Sequence, residues 1–112
     1  MIVLLVDDDL DLLEMIPELI EDYNWIMVSN YEDALKVLET QKIDVAVIDS
    51  LGGKQGLQLA ELCFKLGVRS ICHTGGCSIV EDSNFFDAIA IKPDILSLEN
   101  ILSEFLRQKY VA

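Results

Sequence analysis

The chain has 112 residues, of which 52% are hydrophobic, and its 20 acidic residues against 8 basic ones give a formal net charge of −12 at pH 7. This length is enough for one domain with a proper core but not for two, and the hydrophobic content excludes a disordered chain. Because contacts with nucleic acid need clustered basic residues, the acidic balance argues against direct nucleic-acid binding.

The apolar runs are short. The segments IVLLV and VAVI have the length of strands and fall far below the roughly 20 residues that span a bilayer. The start of the sequence, MIVLLVDDD, has neither the basic stretch nor the small-residue cleavage site of a signal peptide. We therefore expect a cytoplasmic protein with no membrane association.

Five apolar segments alternate with amphipathic ones along the whole chain. Most of them are continuously apolar, which is typical of strands whose sheet is covered on both faces. The predicted strands are residues 2–6, 25–28, 45–48, 68–72 and 88–91.

The segments between the predicted strands have helical spacing. The first helix is expected to begin after a capping Asp9, and Pro17 inside it removes a backbone hydrogen bond and predicts a kink. The second helix begins after Asn30, the third closes at Gly67, and the last carries an apolar stripe behind Ser97. Only a short or irregular fourth helix fits between the last two strands.

Strands that alternate with helices predict an α/β fold in which one parallel sheet lies between two helical layers, joined by right-handed crossovers. The expected architecture is the flavodoxin-like (βα)5 three-layer sandwich with strand order 2-1-3-4-5. No linker or repeat interrupts the series, so residues 1–112 are expected to form a single domain with no output domain.

Polar side chains follow four of the predicted strands. They are Asp7 and Asp8 after strand one, Asp49 after strand three, Thr74 after strand four and Lys92 after strand five. In an open parallel sheet, ligands bind at the carboxyl ends of the strands, and neighbouring strands are about 4.8 Å apart. Because strands one and three are neighbours in this order, the three aspartates are expected to share one small pocket.

A pocket of carboxylate oxygens suits Mg²⁺. It excludes a nucleotide or flavin site after strand one, because such a site holds phosphate with small residues and helix amides rather than with carboxylates. With a metal in place, Asp49 is suited to attack phosphorus and form an aspartyl phosphate. Thr74 and Lys92 are then suited to contact the oxygens of the phosphoryl group.

Four motifs in this order resemble the receiver domain of response regulators in two-component signalling. They are LLVDDD for the acidic pair of the family, VAVIDS for its phosphoacceptor, ICHTG for its hydroxyl residue and IKP for its Lys-Pro. The segment SNYEDALKVLE is also similar to the second-helix region of the family, so the resemblance covers the whole chain.

The resemblance implies a role for each site residue. The implied Mg²⁺ ligands are Asp7, Asp8, Asp49 and the backbone carbonyl of Leu51. Asp49 would take a phosphoryl group from a sensor histidine kinase or a phosphotransfer protein, and Thr74 and Lys92 would contact that group. The domain would be a phosphoacceptor in a phosphorelay rather than an enzyme, with only Mg²⁺-dependent self-phosphorylation and self-dephosphorylation, and it would signal through a separate effector protein.

The sequence departs from the family pattern at three places. Ile89 stands three residues before Lys92, where the family has an aromatic switch residue; the loop SLGGKQG after Asp49 lacks the usual Met-Pro; and Asp94 follows Lys-Pro in place of an apolar residue. An alternative therefore stays open, a pseudo-receiver that keeps the fold as an interaction module and is not phosphorylated. A phosphohydrolase is disfavoured because no general acid or base is evident near Asp49.

Overall fold

A computed structural model describes residues 1–49, 54–74, 85–92 and 94–110. Five parallel strands form one sheet in the order β2-β1-β3-β4-β5. The strands are β1 (Ile2–Val6), β2 (Asn24–Val28), β3 (Val45–Ile48), β4 (Arg69–Thr74) and β5 (Ala88–Ile91). The helices of the described residues are α1 (Leu10–Leu19), α2 (Tyr31–Thr40), α3 (Lys54–Leu66) and α4 (Ile95–Tyr110). The predicted fold class and strand order are confirmed, while the predicted short helix between β4 and β5 lies outside the described residues.

The core has two halves, one on each face of the sheet. One half packs alternate strand residues such as Val3 and Val47 against Ile16 of α1 and Leu102 of α4. The other half packs the intervening strand residues against α2 and α3. Every residue of β3 is buried, which explains why VAVI has no polar alternation.

Strand β4 extends two residues beyond its predicted end. His73 and Thr74 pair with Ala90 and Ile91 of β5, so the parallel ladder continues through these polar residues. The predicted strand ended at Cys72 because the prediction used the apolar residues alone. The observed end is set by hydrogen bonding to β5, which continues through the polar residues. This extension carries Thr74 to the same edge of the sheet as Asp49.

The start of α1 is capped as predicted. An oxygen of Asp9 accepts hydrogen bonds from the backbone N–H groups of Asp11 at 3.0 Å and of Leu12 at 3.4 Å. The helix then runs through Pro17 and ends at Leu19. Asp9, the third aspartate of the DDD run, therefore caps α1. Asp7 and Asp8 lie between this cap and the end of β1.

Replacing Asp9 by alanine is expected to lower the free energy of unfolding by about 1 kcal/mol, because two N–H groups at the helix start lose their acceptor. Urea denaturation followed by the fluorescence of Trp25, the single tryptophan, measures this loss. Glu14→Ala is the control, since Glu14 is an exposed residue of the same helix. Equal losses in the two variants would contradict the capping role.

Helix α4 begins at Ile95, two residues before Ser97, and contains the apolar stripe predicted behind Ser97. The backbone N–H of Ser97 donates to a carboxylate oxygen of Asp94 at 3.0 Å. Asp94 accepts this bond, and the helix starts directly after it. The unusual aspartate after Lys-Pro thus has a structural role at the start of α4.

Candidate functional site

The two aspartates that end β1 and β3 are fixed by the backbone ladder. The N–H of Asp7 donates to the carbonyl oxygen of Val28 at 3.2 Å, and the N–H of Asp49 donates to the carbonyl oxygen of Val6 at 2.9 Å. Because Val6 pairs with Ile48, these aspartates leave adjacent strands side by side. One carboxylate oxygen from each of Asp7, Asp8 and Asp49 lies within 4.8 Å of the other two.

Lys92, which directly follows β5, places its side chain beside the carboxylates of Asp7 and Asp49. Its backbone N–H donates to the carbonyl oxygen of Thr74 at 2.8 Å, which fixes where its side chain leaves the strand. Its Nζ lies 2.9 Å from Oδ2 of Asp7 and 3.0 Å from Oδ1 of Asp49. Among the described residues, Lys92 is the one cation paired with these carboxylates, and it bridges two of them.

Asp7 is buried and has an oxygen without a hydrogen bond. Its Oδ1 accepts from the N–H of Asp9 at 2.9 Å, whereas Oδ2 faces the Lys92 ammonium without the alignment of a hydrogen bond. Burial raises the pKa of Asp7, and the Asp9 amide and Lys92 only partly oppose this shift. A buried carboxylate oxygen that needs positive charge is the chemical setting of a cation site.

Lys92 keeps its charge in this setting. Burial by itself would lower the pKa of the ammonium, but its contacts with Asp7 and Asp49 outweigh burial and raise the pKa. A permanently charged lysine next to Asp49 is available to neutralise negative charge that develops there.

The donor set fits a hard divalent cation. All three side chains offer carboxylate oxygens, and Asp8 is exposed, so the site has one side open to water. Mg²⁺ prefers oxygen ligands from one or two carboxylates and retains several waters. The fourth predicted ligand, the carbonyl of Leu51, lies outside the described residues.

Thr74 is the last residue of β4, the strand that lies between those of Asp49 and Lys92. Its side chain is almost completely buried at this edge of the sheet. The structure therefore brings five of the six predicted site residues to one end of the sheet.

His73 is a feature whose environment the sequence did not reveal. It is 1% exposed, with neither Nδ1 nor Nε2 hydrogen bonded within the described part of the chain. Burial, with a smaller effect of the nearby Lys92 charge, lowers its pKa to about 4. Nothing in the pattern ICHTG distinguishes a buried histidine from an exposed one.

Comparisons with known proteins agree with the observed fold. No family model matches the chain. A CheY-like response regulator receiver domain protein of Methanospirillum hungatei is 28% identical, with a TM-score of 0.83 and coverage of 99% of this chain and 98% of that one. The receiver domain of the Francisella response regulator 1452 is 22% identical, with a TM-score of 0.83 and coverage of 96% and 98%.

Two further relatives carry more specific descriptions. Response regulator TrrA of Thermotoga maritima, solved in complex with Mg²⁺-BeF, is 23% identical with a TM-score of 0.84 and coverage of 93% and 97%. The heme response regulator HssR of Staphylococcus saprophyticus is 39% identical over 62 residues, which are 53% of this chain and 28% of that protein. The latter match therefore spans little more than a quarter of its relative.

The strand order, with carboxylates at the edge where the strands end, is that of receiver-type structures. The chain has the fold of CheY-like response-regulator receiver domains, which its four sequence motifs resemble. Receiver domains are signalling domains, and this fold supports a phosphoacceptor role in two-component signalling. Within the described residues, no helix has the length and apolar character needed to cross a membrane.

Proposed function

We propose that Asp49 accepts a phosphoryl group from a phosphohistidine of a sensor histidine kinase or phosphotransfer protein. The domain then passes the signal to a separate effector protein in the cytoplasm by protein contact. The observation that carries this proposal is the convergence of Asp7, Asp8 and Asp49 with Lys92, whose ammonium lies 3.0 Å from an oxygen of Asp49.

The proposed transfer is a displacement at phosphorus. A carboxylate oxygen of Asp49 forms the new O–P bond while the N–P bond of the phosphohistidine breaks, and the leaving imidazole nitrogen keeps the electron pair. The side chain of Asp49 is 11% exposed, so one side is open to an incoming donor. Lys92 neutralises part of the charge that accumulates on the transferred group.

Mg²⁺ fits the proposal because the group transferred is anionic and the acceptor is itself a carboxylate. Asp7, Asp8 and Asp49 would hold the ion, together with the Leu51 carbonyl. The bound ion would supply positive charge to the phosphoryl oxygens. The complex of TrrA with Mg²⁺-BeF supports the same chemistry for this chain.

Thr74 and Lys92 complete the proposed site from the other side. Thr74 ends β4 and Lys92 directly follows β5, so both approach Asp49 from the strands beyond β3, and the Lys92 ammonium also contacts Asp7. The Thr74 hydroxyl is suited to donate to one phosphoryl oxygen and the Lys92 ammonium to another.

The proposal predicts a gain of one phosphoryl group in intact mass when the protein is incubated with acetyl phosphate and Mg²⁺. The gain should be absent in Asp49→Asn and in wild type treated with a chelator, because the nucleophile or the metal is then missing. Asp22→Asn is the matched control, since Asp22 is an exposed aspartate just before the start of β2, at the edge of the sheet opposite the site, and it should gain mass as wild type does.

Two results would contradict this proposal. A gain that persists in Asp49→Asn would place the modification elsewhere. No gain in folded wild type would favour the pseudo-receiver, which works by contact without phosphorylation.

A further inference from the structure

A cavity of about 300 Å³ lies at the edge of the sheet opposite Asp49. It is bounded by the beginnings of β3 and β4 and by the last turns of α4. Val45 and Phe105 contribute apolar wall, whereas Arg69, Gln108 and Lys109 contribute polar groups. This volume is at the lower end of the range for small-molecule sites, which combine apolar walls with a few polar groups.

Arg69 is held in one orientation at this cavity. Its guanidinium carbon lies 3.9 Å from the centroid of the Phe105 ring, and Nη1 donates to Oε1 of Gln108. A guanidinium has five N–H donors in a planar fork, so most of them remain after this one bond. The ring contact and the hydrogen bond together hold the guanidinium at the cavity before any ligand arrives.

The charge of Arg69 is not balanced by a carboxylate within the described part of the chain. This is unexpected in a chain with 20 acidic and 8 basic residues. The other arginine, Arg107, does pair with Glu104. Arg69 is half-buried, so its unpaired charge is costlier than that of an exposed side chain.

Asp44, the carboxylate that borders the cavity, is already engaged. Its Oδ2 accepts from the N–H of Ile2 at 2.7 Å, and its Oδ1 contacts Nζ of Lys109 at 2.5 Å. Two cationic side chains, Arg69 and Lys109, thus line the cavity together with one anionic side chain, Asp44. Among the described lining residues, cationic side chains outnumber carboxylates, in contrast to the acidic chain as a whole.

We propose that this cavity binds a small organic carboxylate with an apolar body. The carboxylate pairs with the fork of Arg69, whose two parallel N–H groups match the two oxygens. The apolar body lies against Val45 and Phe105. This site is separate from Asp49 and does not depend on the proposed phosphorylation. The domain would therefore bind a small molecule at one edge of the sheet and accept a phosphoryl group at the other.

Nuclear magnetic resonance titration of the full chain tests this site with two probes, benzoate and isovalerate. We expect saturable shifts of the backbone amides of Val45, Arg69 and Gln108 with at least one carboxylate. The neutral amides, benzamide and isovaleramide, should bind about tenfold more weakly or worse, because they lack the charge that pairs with the fork.

Variants at Arg69 separate charge from geometry. Arg69→Gln should abolish saturable binding. Arg69→Lys, which keeps the charge but loses the planar fork, should weaken it about tenfold. Arg107→Gln removes an exposed arginine from the last turns of α4, which border the cavity, and this variant should bind as wild type does. Trp25 fluorescence reports whether each variant is folded, and Arg69→Lys decides the question if Arg69→Gln does not fold.

Three results would overturn the inference. They are the absence of saturable shifts with either carboxylate, equal binding of a carboxylate and its amide, and full binding in a folded Arg69 variant.

Discussion

Lys92→Met is expected to lower the free energy of unfolding by about 3 kcal/mol in metal-free buffer, the lower end of the range for a broken buried ion pair. The variant removes the ammonium that bridges two carboxylates, and it leaves Asp7, with 1% of its side chain exposed, next to Asp49 without a cation. We choose the lower end because 20% of the Lys92 side chain is exposed to solvent. Urea denaturation with a chelator present measures the loss.

Two changes in conditions should recover part of this stability. Added Mg²⁺ should restore it by supplying positive charge to the same oxygens, if the site holds the metal as proposed. Acid should also reduce the loss: burial already raises the pKa of Asp7, and without Lys92 that carboxyl takes up a proton more readily and becomes neutral.

Lys65→Met is the matched control for the lysine variant. Lys65 pairs with Glu61 at 3.5 Å on α3, but 69% of its side chain is exposed. An exposed pair of this kind contributes about 0.5 kcal/mol at most. A loss in Lys92→Met no larger than in Lys65→Met would show that the buried carboxylates do not depend on Lys92.

His73→Leu is expected to remove a large pH dependence of stability. In the folded protein the pKa of His73 is lowered to about 4 from its ordinary 6.5, so between these values the unfolded chain binds more protons than the folded one. The free energy of unfolding of wild type therefore falls as the pH is lowered from 6.5 towards 4, because the unfolded chain takes up a proton at His73 and the folded protein does not. The difference between the two pKa values corresponds to a fall of about 3 kcal/mol.

The leucine variant should also be more stable than wild type at pH 8, by about 1 kcal/mol, because it replaces a buried imidazole that has no hydrogen-bond partner within the described residues. His73 is the one histidine of the chain. The free energy of unfolding of each protein is measured from pH 8 to pH 4. Subtracting one curve from the other removes the contribution of the carboxylates, which are the same in both proteins. Parallel curves across this range would contradict the buried, neutral state of His73.

Much of the fold could be predicted from the sequence because the strands are covered on both faces. Continuous apolar runs such as IVLLV and VAVI predicted β1 and β3 to the residue, and the polar groups just after them lie at the edge where open parallel sheets bind ligands. The meeting of Asp7 with Asp49 followed from the strand order alone. No further contact was needed to predict it.

Features set by three-dimensional context could not be predicted in this way. The extension of β4 to Thr74 depends on pairing with β5, and the orphaned ring of His73 depends on what packs around it. Asp94 departs from the family pattern, but the sequence does not reveal that it caps α4 by accepting a hydrogen bond from Ser97. Whether Arg69 finds a carboxylate among the described residues likewise depends on which of them other cations have already engaged.

The most direct test of the central claim is to locate the phosphoryl group by chemistry specific to an acyl phosphate. After incubation with acetyl phosphate and Mg²⁺, borohydride reduces an aspartyl phosphate to homoserine, and peptide mass spectrometry identifies the converted residue. The proposal predicts homoserine at position 49 in wild type and no conversion at any aspartate in Asp49→Asn. Conversion at Asp7, Asp8 or another aspartate, or no conversion in folded wild type, would contradict it.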